Sequence, residues 1–168
     1  SSGAETLFHN PNPISDRRRQ AQLEQMRPTL VIGAGGTGQL ILTFLKAVLE
    51  KRFGHAWRQR IQLLAFDTAE ETITIPNGHH TMIALENAAE FFHIGNVPVA
   101  GIKRNIDNQE AIQERLGPIM SNLPPVVLRS GAKQLRPFGL LSLLWNYSQV
   151  SEQINRALWR LAGRSQLD

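Results

Sequence analysis

Gly33, Gly35 and Gly38 fall at the spacing G-x-G-x-x-G, directly after the apolar run Leu30-Val31-Ile32. Glycines at this spacing do backbone chemistry. The first lets a chain turn off a strand, the second lets backbone approach an anion, and the third lets a helix pack close to that strand. A helix beginning here presents free N–H groups and the positive end of its dipole to a phosphate. Thr37 adds a hydroxyl donor, and Ala34 and Gly36 complete a loop with no bulky side chain. No Lys-Ser/Thr pair follows, so the loop is not of the Walker A type. The alternative reading is a tight strand-to-helix turn that binds nothing.

The elements that must position this loop are legible on either side. Residues 29–32 are apolar and β-branched, as in a buried parallel strand. Leu40, Ile41, Phe44, Leu45, Val48, Leu49 and Phe53 recur at three and four, which predicts one apolar helix face, with Lys46, Glu50, Lys51 and Arg52 off it. Ile61-Gln62-Leu63-Leu64-Ala65-Phe66 reads as a second buried strand ending at Asp67-Thr68. Strand, helix and strand make a βαβ unit with parallel strands. In a dinucleotide fold, an acid about 20 residues past the glycines holds a ribose hydroxyl. Asp67 stands 34 residues past Gly33, which strains that reading. Asp67-Thr68 either faces the ligand crevice or caps a following helix over 69–71.

The remaining segments are less regular. Ser15 or Asp16 is placed to cap a short polar helix through Met26, after an extended lead-in containing Asn10-Pro11-Asn12-Pro13. Residues 72–75 and 81–85 suggest short strands around Pro76-Asn77-Gly78, and 86–92 a helical turn or two. Asp107 or Asn108 is placed to cap a helix through Leu116. Ser130-Gly131 opens a second polar loop, closed by Arg136-Pro137-Phe138-Gly139. Leu140, Leu144, Tyr147, Ile154, Leu158 and Leu161 then predict one long helix.

Composition narrows the function classes. Hydrophobic residues at 42% against 19% charged predict a folded domain. The absence of cysteine excludes disulfides and thiolate metal sites and fits a reducing, cytoplasmic location. No apolar run reaches the roughly 20 residues of a membrane helix, so no membrane partner is expected. Residues 1–60 carry nine Lys/Arg and four Asp/Glu, 61–128 three and eight, and 129–168 six and two. The two basic ends bracket the phosphate-binding segments and suit a polyanionic ligand. Nucleic acid is not the expected partner, because Lys/Arg and aromatics are not interleaved. His79, His80 and His93 lack metal-ligand spacing, so no metal site is expected. Glu86 and Glu90 read as solvated charges, since like charges at i,i+4 do not easily share a buried site. Trp57, Trp145 and Trp159 read as core or partner-facing anchors.

Three stretches carry a family resemblance. Pro28-Thr29-Leu30-Val31-Ile32-Gly33-Ala34-Gly35-Gly36-Thr37-Gly38, then Leu64-Ala65-Phe66-Asp67-Thr68, then Gly131-Ala132-Lys133-Gln134-Leu135-Arg136-Pro137-Phe138-Gly139 resemble the bacterial tubulin-like proteins, distant relatives of FtsZ and tubulin. The resemblance implies an α/β, Rossmann-like three-layer nucleotide-binding domain of tubulin/FtsZ type. Residues 1–27 would be an N-terminal extension with a short helix, and 28–168 the N-terminal portion of that domain. It implies a GTP/GDP site, with Gly35, Gly36 and Thr37 at the phosphates and Asp67 and Thr68 near them and their Mg. Gly131 and Ala132 would offer N–H groups toward the terminal phosphate. Arg129, Lys133 and Arg136 flank that loop, which alone is a plausible anion nest or a plain surface connection. The family's GGGTGSG loop, its base-reading residues and its water-activating acid are not in this sequence. This chain alone is therefore expected to bind nucleotide poorly and to hydrolyse it hardly at all, with assembly a property of the full-length protein. The other readings are an NAD(P)- or FAD-binding oxidoreductase fragment, and an interaction module that no longer binds nucleotide.

Overall fold

The computed structural model describes residues 13–78, 81–120, 122 and 136–165. Helix α1 (Pro13–Gln25) leads to strand β1 (Thr29–Ala34), which runs straight into helix α2 (Gly35–Phe53). A 3₁₀ segment, Gly54–Gln59, turns the chain into β2 (Ile61–Asp67). Next come β3 (Thr74–Pro76), β4 (Met82–Ala84) and β5 (Phe91–His93). The helices α3 (Val99–Arg104), α4 (Glu110–Met120), α5 (Arg136–Trp145) and α6 (Tyr147–Ser165) complete the order.

β1, β2 and β5 form a parallel sheet with β2 in the centre. The register runs from Thr29↔Ile61 to Ala34↔Phe66, and from Ala65↔Phe91 to Asp67↔His93. Alternation along β2 divides the core between two faces. Ile61, Leu63 and Ala65 pack with Leu42, Leu49, Phe53 and Trp57, on the α2 side. Leu64 and Phe66 pack with Phe92, Ile94 and Ala157, on the α6 side. A separate cluster centred on Ile102, Leu116, Phe138 and Leu141 holds α3, α4 and α5 together. The molecule is thus a mixed α/β fold with helices on both faces of a parallel sheet. The antiparallel β3–β4 hairpin matches the expected turn at Pro76-Asn77-Gly78.

Five elements differ from the sequence pattern. β1 is not the buried strand expected: at the edge of the described sheet it leaves Thr29, Ile32 and Ala34 exposed and buries only Gly33. Residues 86–92 do not form helical turns. Ala65 N donates to Glu90 O, and Phe91–His93 join the sheet as its third strand. Phe91, Phe92 and Ile94 are part of the core.

The long terminal helix is interrupted at Asn146. Its side-chain Nδ2 donates to Ser142 O (2.9 Å) and to Ile94 O (3.1 Å), while its backbone N still donates to Ser142 O and its O accepts from Val150 N. The stretch Arg136-Pro137-Phe138-Gly139 is not loop but the first turn of α5, where Pro lacks only an N–H that has no helical partner anyway.

The apolar stripe predicted for α2 is largely outside. Ile41, Phe44 and Val48 are exposed, while Gln39, Leu42, Thr43, Lys46, Leu49 and Phe53 are buried. Polar residues can occupy this buried face because each finds a partner. Thr43 Oγ1 donates to Gln39 O, and Lys46 Nζ donates to Ala84 O and to Glu90 Oε2 at 2.6 Å. Glu90 is accordingly not a solvated charge, while Glu86 is exposed as expected, and neither lies on a helix. Lys46 and Arg58 lie between them, and Glu90 is buried. Two cations relieve the repulsion that kept these acids apart in the sequence reading.

Candidate phosphate-binding site

The three glycines divide their work differently from the motif's usual assignment. A Cβ on Gly33 would stand 2.7 Å from Gly38 O, and one on Gly38 2.8 Å from Gly33 C. These two therefore press β1 against the first turn of α2. The turn itself is made at Gly35, whose φ of +68° strains any side-chain-bearing residue. Nothing lies within 4 Å of where a Gly35 Cβ would be, and Gly36 and Thr37 are exposed. Ala34, in extended conformation, precedes the helix without a side-chain cap, and the first turn has no acid. The leading N–H groups of a 19-residue helix are thus available to an anion.

Asp67 is the last residue of β2 and is buried. A Cβ on Gly36 would lie 3.8 Å from Asp67 Oδ2, so this carboxylate faces the glycine loop. Its other oxygen, Oδ1, accepts from Ala69 N at 3.1 Å. That bond closes a local turn, and no helix follows over 69–71. The length of α2 together with the 3₁₀ segment accounts for the separation of Asp67 from Gly33. Thr68 is buried beside Asp67.

Two residues supporting this turn escape the sequence reading. His93 Nε2 lies 3.1 Å from Thr68 O, so the Nε2–H tautomer donates to it. A Cβ on Gly95 would stand 2.1 Å from Thr68 O. The available signal was the run Phe91-Phe92-His93-Ile94 ending at Gly95, which repeats the pattern of a strand ending in glycine at Gly33.

The structure brings Gly33, Ala34, Gly35, Gly36, Thr37 and Gly38 together with Asp67 and Thr68 at the carboxyl ends of β1 and β2. Gly131, Ala132 and Lys133 lie outside the described residues, as do His79 and His80. Arg136 is exposed in the first turn of α5, on a different element from the glycine loop and Asp67. Among the described residues, no group of three or more His, Asp or Glu side chains is arranged to hold a metal ion.

A family model described as tubulin-like matches residues 30–168. The chain belongs to the tubulin-like family. No curated protein and no solved structure matches it. The tubulin-like match takes in the glycine loop, Asp67, β5 and the helices α3 to α6, and it leaves α1 outside. Among the described residues of this tubulin-like chain, no helix is long and apolar enough to cross a membrane.

Proposed function

We propose that this tubulin-like chain holds the phosphates of a guanine nucleotide, GTP or GDP, at the amino end of α2, and that nucleotide binding gates self-association of the full-length protein. One observation carries the reading. The uncapped, glycine-built helix start faces a buried carboxylate, with Asp67 Oδ2 3.8 Å from where a Gly36 Cβ would stand. A carboxylate beside phosphates repels them unless a cation lies between. Mg²⁺ is commonly bound by one or two carboxylates plus phosphate oxygens and water, so a single Asp67 fits that role where a full protein cage would not. Bound Mg²⁺ would neutralise the phosphate charge. The α2 N–H groups and Thr37 would orient the phosphates, and the turn held by His93 and Gly95 would fix the carboxylate. Gly131 and Ala132 are proposed to add N–H donors for the terminal phosphate, as the family resemblance implies, and Lys133 and Arg136 to add positive charge beside them. The choice of guanine rests on the family, whereas the choice of a phosphate ligand rests on the site.

Thermal unfolding of the full-length protein with millimolar nucleotide tests this. A ligand that binds only the folded state raises Tm by mass action. GTP with Mg²⁺ is expected to raise it, and NAD is not. Asp67→Asn keeps the side-chain shape and is expected to remove the dependence on Mg²⁺. A Tm raised by NAD and not by GTP supports the oxidoreductase reading instead. No response to any nucleotide supports an interaction module.

A further inference from the structure

Charge is not distributed in space as it is along the sequence. The glycine loop and Asp67 sit at the carboxyl ends of the strands. Lys46 is buried against Ala84 and Glu90, while Arg27 before β1, Lys51 and Arg52 at the close of α2, and Arg60 before β2 lie at the opposite end. There Thr29 N donates to Arg60 O, Leu23 of α1 packs with Phe53 and Trp57, and Arg52 Nη2 reaches Gln22 Oε1 at 3.5 Å. Arg27, Lys51 and Arg52 are exposed at this end, and Arg17, Arg18 and Arg19 are exposed on α1, whose Leu23 docks here. The exposed acids beside them on α1 are Asp16, 3.8 Å from Arg19, and Glu24, which accepts from Gln20. Glu50, Glu86 and Glu90 are already engaged by Arg58 and Lys46.

The form of this surface selects among anionic partners. From Asp16 to Gln25, α1 buries only Leu23, so it stands out from the body as a ridge. Three consecutive arginines on a helix point about 100° apart and sweep about 200° around it. A flat anionic surface can meet one or two of them, whereas a groove with phosphates on both walls meets all three. A helix with side chains is about 10–12 Å across, and the major groove of B-form DNA is about 12 Å wide. Leu23 is spent in the core, and between Asp16 and Gln25 α1 has no other large apolar side chain to insert into a lipid surface.

We propose that this end of the molecule, led by α1, binds duplex DNA through its phosphate backbone. Arg17, Arg18 and Arg19 enter the major groove, and Arg27, Lys51 and Arg52 meet the flanking phosphates. Phosphate contacts carry no sequence information, so binding is independent of sequence. The missing interleaved aromatics argue against single-strand stacking, not against a duplex. α1 lies outside the residues that match the family, whereas Lys51 and Arg52 lie within them at the far end of α2 from the proposed nucleotide site.

Fluorescence anisotropy of a labelled random-sequence duplex, titrated with the full chain over a range of salt concentrations, tests the proposal. The expected log–log salt slope approaches about −5, at about 0.9 per phosphate neutralised by the six cations. The R17Q/R18Q/R19Q variant is expected to bind more weakly, with a slope shallower by about 3. Its circular dichroism should be unchanged, since Gln is as good a helix former as Arg. The proposal is overturned if no duplex binds at low salt, or if the folded variant binds as the parent does. It is also overturned if poly-glutamate of equal charge competes as well as DNA, or if phosphatidylserine vesicles are bound and DNA is not.

Discussion

Gly95 and Gly139 make a matched test of what single glycines do here. A Cβ on Gly95 would meet Thr68 O at 2.1 Å, while one on Gly139, inside α5, meets nothing within 4 Å. Gly95→Ala must push the Asp67–Thr68 turn away and is expected to cost about 1–3 kcal/mol. Gly139→Ala only gains helix propensity and is expected to stabilise by about 0.5–1 kcal/mol. Urea midpoints measure both, and equal midpoints for the two variants contradict the assigned packing. The buried pair Lys46–Glu90 gives a second test. Lys46→Met leaves Glu90 without its closest cation and is expected to cost about 3–5 kcal/mol, whereas Lys46→Met with Glu90→Leu recovers much of the loss. A double variant no more stable than Lys46→Met alone means that the carboxylate was never dependent on Lys46. Gly33 and Gly38 were legible in the sequence because their contact is local and its spacing is fixed. Lys46 was not, because its acid partner lies 44 residues further along the chain.

At the scale of elements, the helix α2 was legible in extent and not in orientation. Its apolar residues nearly encircle it, so periodicity at three and four could not choose the buried face. Contact with β1 and β2, and the hairpin partner that Lys46 finds at Ala84, made the choice. Leu42 is 2% exposed and Phe44 55%. Leu42→Ala is therefore expected to cost about 2–5 kcal/mol, and Phe44→Ala about 0.5 kcal/mol or less. Chemical denaturation of the two variants checks this, and a larger loss at Phe44 reverses the face. The strand β5 was missed for a related reason. Glu86-Asn87-Ala88-Ala89-Glu90 favours helix locally, but Phe91–His93 gain parallel pairing with β2. Pairing over a separation of about 25 residues has no local signature in a strand this short.

For the whole molecule, the βαβ order fixed the direction of β1 and β2 and the side on which ligand chemistry could gather, because the carboxyl ends of parallel strands share one edge. The grouping of charge was not legible. The sequence runs from the basic residues straight into the glycine loop, yet α1 docks through Leu23 at the amino end of the sheet, and α2 carries Lys51 and Arg52 down to that same end. The two proposed surfaces therefore sit at opposite ends of β1 and β2, and their charges act on different ligands. If each proposal holds, the R17Q/R18Q/R19Q variant should keep the full Tm increment given by GTP with Mg²⁺. Asp67→Asn should keep the salt-dependent affinity for duplex DNA. Saturating GTP should also leave the anisotropy of bound duplex unchanged at constant ionic strength, since a phosphate at the start of α2 lies about 24 Å along the 19-residue helix from Lys51 and Arg52 at about 1.5 Å per residue. That separation exceeds the Debye length of about 8–10 Å at physiological salt. Displacement of the duplex by GTP shows instead that the arginines and the glycine loop serve one site, and that α1 is placed differently in solution.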